Sequence, residues 1–301
     1  MRVMLTGASG FIGAYVLQAL QEIECELLAV SSQDNSQKSD TKVTWVKANL
    51  LDQKDVNEIV TKYQPEVLIH LAWYAEHGKF WSSSKNFDWS IASIQLLDTF
   101  RRNGGKRAVI AGTCAEYDWS YGYCKEGITP VEPATVYGKC KDGTRRILAA
   151  MLEESGVEWI WGRIFFPFGM GEPQERLIPS VINSLIHKSP IRCSHGRQFR
   201  DFMPVEDVAS AFVHLALSSN ITGELNISTG IPTRISDVVE RCIQHFEGNV
   251  TPEFGAIKVS DNDPNLLVGD NEKLIKSGWK PSISWQEALG KLINKYKITE
   301  R

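Results

Sequence analysis

Residues Arg2–Gly13 read RVMLTGASGFIG, a short apolar run followed by three glycines spaced by three. Val3, Met4 and Leu5 suit a buried parallel strand. From Phe11 to Leu20 apolar residues recur at helical spacing, in the pairs Phe11/Ile12, Tyr15/Val16 and Ala19/Leu20. Each part of a glycine loop between strand and helix has a physical task. Gly7 permits the tight turn off the strand. Gly10 lets backbone approach a pyrophosphate with no Cβ in the way, and Gly13 lets the helix pack on the strand. Phe11, Ile12 and Gly13 then present the N–H groups and positive end of the helix to phosphate oxygens. In this context the spacing predicts a dinucleotide site. The same glycines, with one basic residue ahead and no clear cleavage site, argue against a secretory signal.

Outward from this loop, strand-like runs recur at Leu27–Ser31, Val43–Lys47, Val67–Ala72, Ala108–Ala111 and Trp159–Ile164. Helical patterns lie between them: Asp52–Tyr63 with Asp52 as N-cap, Lys85–Asn103, and Tyr137–Glu154. Ser31–Thr41 is polar and reads as a loop. The alternation predicts an α/β fold, a Rossmann-type doubly wound parallel sheet with ligands beyond the carboxyl ends of its strands. Past residue 165 proline and glycine cluster in Pro167–Pro173, and the signals shorten. A smaller C-terminal substrate-binding domain is expected over 166–301, after a dinucleotide-binding domain over 1–165. Val205–Ser218 reads as an amphipathic helix that returns to the main sheet, so the first domain is expected to receive 203–220.

The chain has 301 residues, 33 Lys+Arg against 36 Asp+Glu, a net charge of −3, and 43% hydrophobic residues. That is enough apolar material to offset chain entropy, so dominant disorder is excluded. An acidic balance argues against a nucleic-acid partner, and no run reaches the ~18 apolar residues a membrane span needs. The six cysteines form no Cys-x-x-Cys pair. They read as free thiols of a cytoplasmic protein with no structural metal.

An acidic residue at the end of the second strand would favour NAD. This chain has Ser31 and Ser32 there, which favours NADP(H) over NAD(H), with a solvated loop as the competing reading. Tyr137 and Lys141 stand at i and i+4, on one face of a helix. A nearby ammonium is expected to lower the phenol pKa. Thr113, at the end of the fifth strand, could hydrogen-bond the substrate oxygen that Tyr137 protonates. A surface lysine beside a packed tyrosine, with Thr113 as a cap, is the structural alternative.

Together TGASGFIG, the strand end His70-Leu71-Ala72, Thr113 and the YGKCK segment Tyr137–Lys141 resemble the extended short-chain dehydrogenase/reductases. That family comprises nucleotide-sugar epimerases, dehydratases and ketoreductases. The ordered segments Arg163–Gly169, Arg176–Pro179, Arg200–Phe202, Val205–Ala209 and Gly278–Pro281 agree with it. The resemblance implies Tyr137 as catalytic acid/base, Lys141 on the nicotinamide ribose, and Thr113 as third member. It implies Asn49 and Leu50 against the adenine, and Leu71, Ala72 and Trp73 along the pyrophosphate and ribose. Other tryptophans near the cleft, Trp81, Trp89 and Trp119, read as packing. It also implies a homodimer through a four-helix bundle of Lys85–Asn103 and Tyr137–Glu154, with Ile91, Leu97, Leu148 and Leu152 as contacts.

Family dehydratases carry Thr-Asp-Glu where this chain has Thr113-Cys114-Ala115, and Glu116 is expected to point elsewhere. The expected activity is NAD(P)H-dependent reduction of the 4-keto group of a nucleotide-linked 6-deoxyhexose. A nucleotide-sugar 4-epimerase is the alternative, and a non-catalytic NAD(P)-binding sensor or interaction protein a third. Cys114, Arg176 and Arg200 are expected at the substrate, the arginines because guanidinium forks match diphosphate oxygens. Arg192 and Arg197 are nearby candidates.

Overall fold

The computed structural model describes residues 1–39, 41–217, 221–246, 250–259 and 263–299. Among these, seven strands form the main sheet. They are β1 (Arg2–Thr6), β2 (Glu26–Ser31), β3 (Val43–Lys47), β4 (Val67–His70), β5 (Arg107–Thr113), β6 (Glu158–Ile164) and β7 (Gly223–Ile227). Their order is β3-β2-β1-β4-β5-β6-β7, and every neighbouring pair is parallel. All residues of β4 and β5 are buried, as covering both faces requires.

One face is covered by α1 (Phe11–Gln21), the other by α2 (Gln53–Tyr63), α3 (Lys85–Arg102) and α4 (Val136–Ser155). Asp52 caps α2 by accepting the Lys54 N–H at 2.9 Å, which contributes about 1 kcal/mol. The apolar run 67–72 stops pairing at His70, because its neighbour β1 ends at Thr6 and turns away at Gly7. Within the polar loop after β2, Ser36–Lys38 forms one 3-10 turn.

Leu97, Leu148 and Leu152 do not face outward. They are buried in the core between α3, α4 and the sheet. Helical spacing marks an apolar stripe but not which neighbour covers it, and here the sheet does. Ile91 alone of the four expected contacts is exposed.

Beyond β6 come α5 (Leu177–Ile186), α6 (Val205–Leu217), α7 (Ile235–His245), α8 (Glu272–Lys276) and α9 (Trp285–Thr299). Helix α6 packs beside α1, and β7 pairs with β6 at the sheet's edge. Helices α5, α7 and α9 enclose a separate core around Ile182, Val239, Leu289 and Ile293. A small sheet orders Thr233–Arg234, Phe199–Arg200, Leu266–Gly269 and Tyr123–Cys124. Asp201, fully buried, joins its parts by accepting from Thr229, Gly230 and Gly269.

Candidate active site

From β1 the chain runs out to β2 and β3 on one side, and β4 opens the other side. The crevice beyond β1 and β4 is therefore the topological switch point. Gly7 has φ +71°, and a Cβ there would lie 2.8 Å from the Ala72 nitrogen. A Cβ on Gly13 would lie 2.0 Å from the Gly7 oxygen. Both glycines are required by close approach. A Cβ on Gly10 would meet only the Gly7 oxygen, at 3.2 Å, so the loop's outer face is bare backbone. Gly10 caps α1 with no side-chain bond, which leaves the first-turn N–H groups of Phe11, Ile12 and Gly13 for an anion. These features fit a dinucleotide pyrophosphate. Above the loop, the Met170 oxygen accepts the Tyr15 hydroxyl at 3.0 Å, which lays the Pro167–Pro173 segment over α1.

Ser31 is buried, and its hydroxyl is spent on Ser9, on the Gln33 N–H and on Asn35. Ser32, Gln33 and Asp34 are exposed after that strand end, the Asp34 carboxylate accepting the Ser36 N–H at 2.9 Å. Asn49 is exposed, its side chain accepting the Leu51 N–H at 3.1 Å, while Leu50 is buried in the core. Leu71 and Ala72 follow β4 directly, their N–H groups directed to Thr6 at 3.3 and 3.5 Å. Below them His70 bridges Thr6 (2.7 Å) and Ser93 (2.9 Å). Burial, with the Lys141 charge adding to it, pushes His70 down to about 3, so the ring is neutral.

Thr113, Tyr137 and Lys141 converge. The Thr113 side chain stands near enough to the Tyr137 hydroxyl to favour the phenolate, against burial. Gly138 makes this approach possible, since a Cβ there would sit 2.2 Å from the Ala115 oxygen. Thr135 caps α4 by accepting the Gly138 N–H at 3.0 Å, and the Trp81 oxygen accepts the Tyr137 N–H at 3.1 Å. Lys141 is buried, donates to the Ala111 oxygen at 2.9 Å, and lies 3.8 Å from the Trp73 ring centre. Phe80 and Trp81 meet the Tyr137 ring edge-on at 4.9 and 5.8 Å. Trp81 and Phe80 thus belong to the site's wall, where spacing alone had suggested only packing for Trp81.

Burial raises the Tyr137 phenol above its ordinary value, against the influence of Thr113. The net shift runs opposite to the expected lowering, because burial outweighs the influences that favour the phenolate. Burial also lowers the Lys141 ammonium, opposed by the Glu116 charge. Glu116 points away from the cleft, as its register demands. It is fully buried and bonded to Trp161 and Arg163.

Cys114 is buried beside Thr113, and burial pushes its thiol up. Arg176 caps the start of α5, its Nε 3.1 Å from the buried Glu172. Its charge favours the Tyr137 phenolate, as the smallest of the influences on that phenol. Arg200 is buried, and its fork is engaged by Asp263 (2.7 Å) and by the Phe199 and Pro264 oxygens (2.8 Å each). Arg192 and Arg197 are exposed, Arg192 paired with Glu253 at 3.9 Å.

Residues 3–228 match the model of the NAD dependent epimerase/dehydratase family, and the chain belongs to that family. It is 26% identical to CDP-abequose synthase of Salmonella typhimurium over 310 residues, 97% of each chain. It is 25% identical to a putative UDP-glucose 4-epimerase of Methanocaldococcus jannaschii, over 99% of each. Its fold superposes on the crystal structure of UDP-glucose 4-epimerase from Thermotoga maritima with a TM-score of 0.88, at 20% identity and full coverage of both chains.

Proposed function

We propose that this member of the NAD dependent epimerase/dehydratase family reduces the 4-keto group of a nucleotide-linked 6-deoxyhexose, with Tyr137 as proton donor. The observation that carries the reading is the convergence of Thr113, at the end of β5, on Tyr137, one helical turn from buried Lys141, with burial raising the Tyr137 phenol. A bound reduced nicotinamide supplies the two electrons and the hydrogen that carbonyl reduction needs. Tyr137 delivers the proton to the forming alkoxide, Thr113 holds the same oxygen, and Lys141 holds the ribose. Gly7, Gly10, Phe11, Ile12 and Gly13 take the pyrophosphate, Leu71, Ala72 and Trp73 the ribose side, and Asn49 and Leu50 the adenine.

Dehydration lacks its acid, since Cys114 and Ala115 follow Thr113 and Glu116 is committed to Trp161 and Arg163. A phenol kept protonated by burial suits a donor, whereas a 4-epimerase must first act as a base, so epimerisation is the second reading. The relatives' names, a nucleotide-sugar synthase and a 4-epimerase, support the nucleotide-sugar class and both reaction types. Arg176 is the proposed diphosphate ligand and Cys114 lines the sugar side; Arg200, the other expected diphosphate ligand, is bonded instead to Asp263 and to the Phe199 and Pro264 oxygens. The absence of a carboxylate at Ser31 and Ser32 supports NADP(H) over NAD(H). Incubation with a panel of nucleotide-linked 4-keto sugars and each reduced cofactor tests this. Stoichiometric oxidation of the cofactor is expected, and product formation with no cofactor consumed would replace the reductase by the epimerase.

A further inference from the structure

Glu116 and Arg163 are both fully buried and lie directly behind the trio, and the proposed reaction touches neither. The Arg163 Nε donates to Glu116 at 2.7 Å, and its NH2 pairs with Glu224 at 2.6 Å. The Trp161 indole N–H reaches both Glu116 oxygens, at 2.9 and 3.0 Å. Gly112 is what admits that indole, because a Cβ there would sit 2.2 Å from its nitrogen. The same carboxylate accepts the Thr113 N–H at 2.8 Å, closing a capping box around the turn 113–116. The other face of this arrangement is Lys141, whose ammonium lies between the Trp73 ring (3.8 Å) and the Trp161 ring (5.8 Å).

We propose that Glu116 is a positioning residue: its carboxylate is the counter-charge that holds the Lys141 ammonium in its buried place and the peg that fixes Thr113. A charged lysine enclosed by indoles and a single carbonyl needs an anion near it, since burial penalises an unpaired charge by several kcal/mol. The groups that face Lys141 leave Glu116 to supply that anion. His70, from β4, is neutral. Tyr137, on its own helix, is protonated, as is the Cys114 thiol. Asp142, next along α4, is spent on Arg145 and Arg146 at 2.6 and 2.8 Å. Arg163 is a second buried cation behind the site, and Glu116 and Glu224 share its charge. An indole that donates to a carboxylate also becomes more electron-rich and attracts the cation over its face more strongly.

The inference rests on Lys141 as the ribose ligand, and NADPH affinity measured by fluorescence titration from mildly acidic to alkaline pH tests both separately. In the wild type, affinity falls where Lys141 loses its proton. Glu116→Gln keeps the hydrogen-bonding shape and removes the charge, so that fall moves to lower pH by about one unit or more. Glu116→Asp restores the charge, and the wild-type midpoint returns. An unmoved midpoint in folded Glu116→Gln, or a loss of affinity by one factor at every pH, overturns the proposal. If Glu116→Gln fails to fold, Glu116→Gln combined with Arg163→Met removes both buried charges and is read in the same way. Unchanged affinity in Lys141→Met at every pH overturns the ribose assignment, and this inference with it.

Discussion

The proposed reaction uses Tyr137 as an acid, and its surroundings suit that role. Burial among Phe80, Trp81 and Trp73 disfavours the phenolate and outweighs the opposing influence of Thr113. Tyr137→Phe retains the ring and hence the packing, so folding and cofactor affinity should survive. Turnover should fall by about 10²–10⁴-fold, measured with the true substrate. Lys141→Met should lower both turnover and cofactor affinity, because the same ammonium serves both. A different residue governs stability against pH. Burial raises Glu172 from 4.5 to about 7, against the pull of Arg176. The folded protein therefore binds this proton more tightly than the unfolded chain. The stability this contributes is complete below pH 4.5 and is lost as pH rises through about 7. The loss amounts to as much as about 3 kcal/mol. His70 acts in the opposite direction over part of this range, so the check is a difference: the melting temperature of Glu172→Gln relative to wild type should rise from pH 5 to pH 8.

At the scale of elements, the site depends on how closely α4 passes the turn after β5. Gly138→Ala would place a methyl group 2.2 Å from the Ala115 oxygen, so α4 must shift and carry Tyr137 away from Thr113. Turnover should drop while Lys141, one turn further along, keeps most of its cofactor affinity; equal loss of both would contradict this. Such features mark the border of what the sequence reveals. The glycine loop and the strand–helix alternation are local patterns, readable from Arg2–Leu20 onward. The Tyr137–Lys141 pair is equally local, one helical turn on α4. Glu116, Trp161 and Arg163 meet across 45 to 47 residues, and no spacing rule announces them. Gly138 looked like the filler of a Tyr-x-x-x-Lys pattern until the Ala115 carbonyl stood beside it. Leu97, Leu148 and Leu152 show the complementary limit. Periodicity showed an apolar stripe and left open whether the sheet or a second subunit covers it.

For the whole molecule, the outer surface of α3 and α4 carries Phe87 (56% exposed), Ile91 (57%) and Ile147 (51%). Covering these apolar groups favours a twofold pairing of identical surfaces, and a homodimer is the expected assembly. Sedimentation at micromolar concentration checks it. The wild type should sediment as a dimer and Ile91→Arg as a monomer with its fold intact. Two bodies of structure then meet at the catalytic cleft. The parallel sheet and the helices packed on it carry the glycine loop and the trio, and the segment after β6 lays Met170 over α1 and pairs Glu172 with Arg176. The account's central claim is that hydrogen passes from a reduced nicotinamide to the sugar's C4 while Tyr137 supplies the proton. Turnover of a nucleotide-linked 4-keto-6-deoxyhexose with nicotinamide deuterated at its C4 tests this most directly. One deuterium at C4 of each product sugar, lost together with turnover in Tyr137→Phe, is the predicted result. A product free of deuterium, or full turnover by Tyr137→Phe, would contradict it.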